Sequence, residues 1–139
     1  MNSSVQRALE SYSVIQSSTP PVGKKNHTQK ELVQLLFDGL TDRISMARAC
    51  LKTEDRAKRA ELVTKAQMIL MGLRNTLDFE KGGELARNLD KLYDYCSRRM
   101  SKAHATEDDM IFAEVFELMG GIRDAWAEIP TKYDTTVQQ

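Results

Sequence analysis

The sequence KAQMILMGLRNTLDFEKGGELARNLDKLYDY, residues 65–95, decides the fold. Its apolar residues recur every three or four positions on both sides of Gly82-Gly83, which is the spacing of a helix with one buried face. The pattern predicts a helix, a tight turn in which Gly82 or Gly83 takes the left-handed conformation, and a second helix that returns along the first. Each helix has one apolar face, so further helices are needed to cover both.

Working outward from this hairpin, the sequence predicts four long helices. The first begins at residues 28–31 (TQKE), where the Thr hydroxyl and the Glu carboxylate of a capping box accept hydrogen bonds from free backbone N–H groups. The second extends from about Glu54 to Phe79 and the third from about Glu84 to Ala105. The fourth begins at residues 106–109 (TEDD) and is stopped by Pro130. Short connections between helices of similar length predict an all-α, antiparallel up-down four-helix bundle.

An amphipathic segment precedes the bundle. Residues 1–16 place Val5, Leu9, Tyr12 and Ile15 at helical spacing, and residues 17–25 (SSTPPVGKK) have the composition of a flexible linker. An isolated helix this short is marginal in water, so we expect it to be ordered only when it packs on the bundle. The predicted organisation is an N-terminal segment and linker over residues 1–25, a bundle over 26–130 and a flexible tail over 131–139.

Three of the helices carry more apolar residues than one core-facing stripe requires. Two interpretations are open: a thick core, or an exposed groove that accepts an amphipathic helix. In the groove interpretation, Leu9 and Tyr12 occupy the groove until a partner displaces them; otherwise residues 1–16 are a disordered tail. The extra residues are Leu32, Leu35, Leu36, Val63, Leu70, Met71, Phe112, Phe116, Met119 and Trp126.

Charge and hydropathy narrow the classes of function. The 20 Lys and Arg residues balance the 20 Asp and Glu residues, and a net charge of zero argues against nucleic acid as the main partner. No apolar run reaches the roughly 18 residues of a membrane span, and the N-terminus lacks the pattern of a signal peptide. We therefore expect a cytoplasmic protein without stable membrane insertion, in which Cys50 and Cys96 are reduced and buried.

The sequence predicts no catalytic, cofactor or metal site. The two histidines, His27 and His104, lie outside the Glu-x-x-His pattern of di-metal bundles and do not pair with a cysteine at metal-ligand spacing. His104 falls at the end of the third helix, where the helix dipole would stabilise its protonated form, so we expect a structural role. Gly120-Gly121 lies inside the fourth helix and permits either a close helix approach or a kink.

Six short motifs, taken in order along the chain, resemble the flagellin-specific secretion chaperones of the FliS family. They are LFDG at 36–39, KAQ at 65–67, LDFEKGGE at 77–84, NL at 88–89, LYDY at 92–95 and RDAW at 123–126. The resemblance implies a four-helix bundle in the bacterial cytoplasm that uses no cofactor or metal and is not an enzyme. It implies binding to the disordered C-terminal segment of flagellin, which prevents premature polymerisation and keeps flagellin competent for type III export.

On this resemblance we predict a flagellin-binding groove in which Leu9 and Tyr12 act as the displaceable segment. Other flagellar export or regulatory proteins are further candidate partners, and homodimerisation is left open. Two alternatives from other classes are a signalling bundle that transfers phosphate through an exposed histidine, and a homodimeric structural bundle. The predicted groove residues are Leu9, Tyr12, Leu36, Leu40, Ile69, Leu73, Leu77, Leu89, Leu92 and Tyr93.

Overall fold

The computed structural model describes residues 28–129. They form four helices: α1 (Gln29–Thr53), α2 (Arg56–Asn75), α3 (Phe79–Thr106) and α4 (Asp109–Ala127). Each helix packs against the next one along the chain, and α4 returns to pack against α1. This confirms the predicted antiparallel bundle. The predicted N-terminal segment and C-terminal tail lie outside the described residues.

A side-chain cap begins each helix. The predicted capping box is present at α1, where the Thr28 hydroxyl accepts from the Glu31 N–H at 3.0 Å and the Glu31 carboxylate accepts from the Thr28 N–H at 3.0 Å. Asp55, Asp78 and Asp108 cap the other three helices through their carboxylates. A cap of this kind stabilises a helix by about 1 kcal/mol. The sequence therefore defines the helix starts locally, before any packing.

The hairpin of residues 65–95 differs from its prediction. The second helix ends at Asn75 and does not continue to Phe79, because the Thr76 N–H and hydroxyl both bond to the Leu73 carbonyl and the Asp78 carboxylate starts a new helix. Gly83, at φ 52° and ψ −128°, breaks α3 after its first turn and does not close α2. The regular helix resumes at Glu84, which is the predicted start of the third helix. The glycine break is therefore at the predicted position, but it interrupts α3 and does not end α2.

Half of the ten extra apolar residues belong to the core, as the thick-core interpretation predicts. Leu36, Val63, Leu70, Phe112 and Met119 are all buried in one cluster that runs the length of the bundle. The remaining five differ: Leu32, Leu35, Phe116 and Trp126 are partly buried, and Met71 is exposed. Cys50 and Cys96 are buried and free, as predicted.

Helix α4 passes through Gly120-Gly121 without a break, so there is no kink. Close approach does not explain the pair either. A Cβ atom built on Gly120 would meet only the Arg123 guanidinium at 4.0 Å, and one on Gly121 would meet nothing within 4 Å. Neither of the two interpretations of this pair therefore applies in the described structure.

Candidate partner-binding surface

Half of the predicted groove residues lie inside the bundle. Leu36, Leu40, Ile69, Leu73 and Tyr93 are buried in the core cluster, where burial also raises the pKa of the Tyr93 hydroxyl. These side chains hold the helices together, and a partner could contact them only where the bundle separates. Direct contact of these five residues with flagellin stays a prediction. Core and groove residues have the same apolar character and helical spacing, which is why the sequence alone could not separate them.

The other predicted residues divide into two groups. Leu77, Leu89 and Leu92 are partly buried and pack against the edge of the core with part of their surface free. Leu9 and Tyr12 lie outside the described residues. The three partly buried leucines all belong to the α2–α3 connection and the N-terminal half of α3. The accessible part of the predicted site therefore lies at that end of the bundle.

Polar contacts link the helices at two other junctions of the bundle. Between α2 and α3, Arg74 donates to the Asp90 carboxylate at 2.7 and 3.2 Å and Gln67 donates to the Ser97 carbonyl at 2.8 Å. The Arg74 guanidinium lowers the pKa of Asp90. Between α1 and α4, Arg48 makes a two-point contact with Asp109 at 2.8 and 3.1 Å. Such contacts cover the helix junctions with charge.

At the level of Glu114, polar side chains link α3 and α4. The Glu114 carboxylate accepts from the Tyr95 hydroxyl and from the Arg99 guanidinium, which also lies 5.8 Å from the centre of the Tyr95 ring. The bond to Tyr95, followed by the bonds and charge of Arg99, lowers the pKa of Glu114. Among the described residues, all polar side-chain contacts between α3 and α4 involve Glu114. The pair Tyr95 and Glu114 thereby shows which faces of the two helices meet.

One turn from this contact, towards the start of α3, the same faces become apolar. Leu92 precedes Tyr95 by three residues and Leu118 follows Glu114 by four, so helical periodicity places both on the shared junction. The next turns along this junction contribute apolar residues from both helices and two small, exposed residues from α4, Gly121 and Ala125. We call this set the lower α3–α4 groove; it consists of Leu85, Leu89, Leu92, Leu118, Gly121, Ile122 and Ala125.

Two large apolar side chains at this end of the bundle are exposed. Leu85, in the first turn after the Gly83 break, is 66% exposed, and Phe79, the first residue of α3, is 45% exposed. Our sequence prediction did not include either residue in the site. The signal that could have found them is their position: both lie beyond the C-terminal end of α2, where no neighbouring α2 residue can cover α3.

Within residues 28–129, no group of three or more His, Cys, Asp or Glu side chains is arranged to hold a metal ion. Over the same range, no helix is both long and apolar enough to cross a bilayer. The exposed apolar side chains of Phe79 and Leu85 suit contact with a protein or peptide partner.

Comparison with known proteins identifies the family. The family described as "Flagellar protein FliS" matches residues 22–133. The chain belongs to the FliS family. This confirms the resemblance seen in the six motifs.

Named relatives of this FliS-family chain are flagellar secretion chaperones. It is 40% identical over 103 residues to FliS of Salmonella typhimurium, covering 73% of this chain and 76% of that protein. It is 39% identical over 95 residues to FliSB of Pseudomonas aeruginosa, covering 68% and 75%. It is 32% identical over 101 residues to FliS of Bacillus subtilis, covering 73% and 74%. The aligned length therefore spans most of the bundle in each case.

The environment of His104 differs from the prediction. Its Nδ1 accepts a hydrogen bond from the Arg59 Nε at 2.9 Å, so the imidazole is neutral in this arrangement. Burial, followed by the charges of Arg59 and Arg56, lowers its pKa. The predicted stabilisation of protonated His104 by the helix end is therefore wrong, because burial and then the charges of the two arginines disfavour the protonated form. A half-buried histidine bound in this way, in a FliS-family chain, does not support the phosphotransfer alternative.

Proposed function

We propose that this chain is a cytoplasmic chaperone of flagellar type III export that binds the disordered C-terminal segment of flagellin. Binding prevents premature polymerisation and keeps flagellin competent for export, with no catalytic step and no cofactor. The observation that carries the proposal is membership of the FliS family, whose named relatives are flagellar secretion chaperones. The exposed and partly exposed leucines of the lower α3–α4 groove support it, because a protein-binding chaperone needs accessible apolar surface.

The chemistry of the groove suits a segment that folds as it binds. An amphipathic helix places apolar side chains at i, i+3 or i+4, and i+7, and the groove offers leucines at matching intervals in Leu85, Leu89 and Leu92. Ordering a disordered segment costs several kcal/mol, so a large apolar contact still gives a complex that can dissociate. Reversible binding is what an export chaperone requires, since it must release its client intact.

Within the predicted site we assign the direct contacts to Leu77, Leu89 and Leu92, together with Leu85 from the structure. The buried residues Leu36, Leu40, Ile69, Leu73 and Tyr93 support these contacts from beneath by holding α1, α2 and α3 in place. Each of these assignments follows from which side chains retain accessible surface in the free protein.

The proposal includes the N-terminal segment as a competitor. Residues 1–18, through Leu9 and Tyr12, occupy the groove in the absence of flagellin and leave it when flagellin binds. The apparent affinity of a partly occupied groove is its intrinsic affinity multiplied by the fraction that is free. Deleting residues 1–18 should therefore raise the affinity for flagellin. A lower affinity would make the segment part of the site, and an unchanged affinity would exclude both roles.

The test is calorimetric titration of the chain with a peptide from the C-terminal end of flagellin of the same organism. We expect binding with a negative heat-capacity change and a gain of helix by circular dichroism. Absence of heat and of added helix at high micromolar concentration would contradict the proposal.

Two substitutions of exposed apolar side chains by alanine test where the peptide binds. Leu85→Ala removes an exposed side chain from the groove and should weaken binding by roughly tenfold, the equivalent of about 1.4 kcal/mol. Met110→Ala removes an 80% exposed side chain at the opposite end of the bundle and serves as the control, with unchanged affinity expected. Equal effects of the two variants would place the contact elsewhere.

A second candidate is a structural bundle that forms homodimers. The exposed apolar side chains of Phe79, Leu85 and Ile129 favour it, because such residues are also typical of subunit interfaces. Light scattering separates the two functions. A dimer that the flagellin peptide leaves intact supports the structural role, and a monomer that forms a one-to-one complex supports the chaperone.

A further inference from the structure

The end of the bundle opposite the lower α3–α4 groove contains a buried charge. Arg59, in the second turn of α2, is 1% exposed and is among the largest fully buried side chains of the described residues. A guanidinium is always charged and can only donate hydrogen bonds, so burial requires acceptors around it. Those acceptors all come from the end of α3 and the connection that follows.

Three groups accept hydrogen bonds from Arg59. The His104 Nδ1 accepts from Nε at 2.9 Å, the His104 carbonyl accepts from Nη2 at 3.3 Å, and a Glu107 carboxylate oxygen lies 3.5 Å from Nη2. Arg56 contacts the same Glu107 oxygen at 3.0 Å from a more exposed position. The shortest contact therefore depends on a histidine nitrogen that must carry no proton.

We propose that His104 is an acid-sensitive latch: the neutral imidazole holds the last turn of α3 on Arg59, and protonation at Nδ1 releases that turn. A proton on Nδ1 would turn the acceptor, 2.9 Å from the Arg59 Nε, into a donor and would set a second positive charge beside the buried Arg59 guanidinium. Arg59 cannot lose its own proton, and its buried position in α2 prevents it from turning to solvent. The α3 turn and the α3–α4 connection are therefore the parts that move.

Burial and then three neighbouring charges act on the pKa of the His104 imidazole. The groups that act on the imidazole are Arg59 and Arg56 of α2, which oppose protonation, and Glu107 of the α3–α4 connection, which favours it. Because the folded-state pKa lies below the ordinary value of 6.5, the stabilisation is complete above about pH 6.5 and is lost as the pH falls through the folded-state value. The carboxylates with lowered pKa values titrate in a more acidic range.

The experiment measures unfolding of the free chain by urea between pH 7.5 and pH 5. The unfolding equilibrium constant should rise with acid by up to about tenfold per pH unit, which is the slope for uptake of one proton. His104→Asn places an amide oxygen near the position of Nδ1 and cannot take up a proton in this range. This variant should fold at pH 7.5 and lose most of the pH dependence.

His27→Gln is the matched control, since His27 is the other histidine of the chain. It should retain the pH dependence of the unmodified protein. Amide hydrogen exchange supplies the second readout: peptides that cover residues 100–108 should lose protection on acidification before peptides from α1 do. Loss of the pH dependence in His27→Gln, or its persistence in His104→Asn, would overturn the latch.

The test is independent of the proposed chaperone function. Residues 85 and 104 of α3 are separated by about 28 Å at 1.5 Å per residue, so the latch and the groove occupy opposite ends of the bundle. The experiment uses no flagellin. A failed latch would leave the flagellin proposal intact, and a failed titration with flagellin would leave the latch intact.

Discussion

The division between core and groove can be tested with the same substitution at two leucines. Leu73 belongs to the predicted binding set but is 1% exposed, whereas Leu85 is 66% exposed at the open end of α3. Leu73→Ala removes a fully buried side chain and leaves a cavity. The expected loss in the free energy of unfolding is about 3 kcal/mol, from the range of about 2 to 5 kcal/mol for buried Leu→Ala changes.

The corresponding loss at Leu85 is much smaller. Full burial of a leucine stabilises a fold by about 2 kcal/mol, and only about a third of that is gained at this exposure, or roughly 0.7 kcal/mol. The better helix propensity of Ala offsets a few tenths of a kcal/mol. We therefore expect Leu85→Ala to lower the free energy of unfolding by about 0.5 kcal/mol and to reduce flagellin binding instead.

Urea unfolding, followed by the helix signal in circular dichroism, gives the midpoint and the slope of the transition for each variant. The slope reports the surface area that becomes exposed on unfolding. An unchanged slope with a shifted midpoint is expected for Leu73→Ala. The reasoning would be refuted if Leu73→Ala were nearly as stable as the parent protein yet failed to bind flagellin. That result would place Leu73 in an accessible groove and not in the core.

Three further predictions concern backbone and charge. Gly121→Ala should raise the free energy of unfolding by about 0.5 to 1 kcal/mol in urea melts, because the helix has room for a Cβ atom and Ala has the higher helix propensity. Gly83→Ala should lower it by about 1 kcal/mol or more in the same assay, since the φ of 52° at the α3 break strains any residue with a side chain; a stable Gly83→Ala would mean that the break is not required. The lowered pKa values of Asp90, Asp109 and Glu114 mean that their ion pairs stabilise the fold above the unfolded-state pKa values near 4 and lose this effect as the pH falls through the lower folded-state values. The Asp90→Asn variant should then show a shallower loss of thermal stability between about pH 5 and 2 than the parent, by no more than about 1 kcal/mol because the pair with Arg74 is partly exposed.

Several local features could be predicted from the sequence because they depend on neighbours along the chain. The capping box at Thr28 and Glu31 involves two residues three positions apart, and it is present as predicted. The restart of regular helix at Glu84 follows from the two preceding glycines. The helical periodicity of apolar residues predicted the all-α bundle, and short connections predicted its antiparallel order.

Other features depend on contacts between distant residues, and the sequence could not reveal them. The position of His104 at a helix end predicts that its protonated form is stabilised. Arg59, 45 residues earlier, instead donates a hydrogen bond to its Nδ1, so the imidazole is a neutral acceptor. The end of α2 at Asn75 depends on competition between continuing the helix and the new cap at Asp78, which a periodic pattern does not measure.

The sequence by itself determined the class of fold, the number of helices, the capping box at the start of α1 and, through six short motifs, the family. Only the tertiary structure decided which leucines are covered. Leu73 and Leu85 carry the same side chain at the same helical spacing, and they differ because a neighbouring helix packs over one position and not over the other. Burial is a property of the surrounding chain in three dimensions, so it separates core from groove where composition and periodicity cannot.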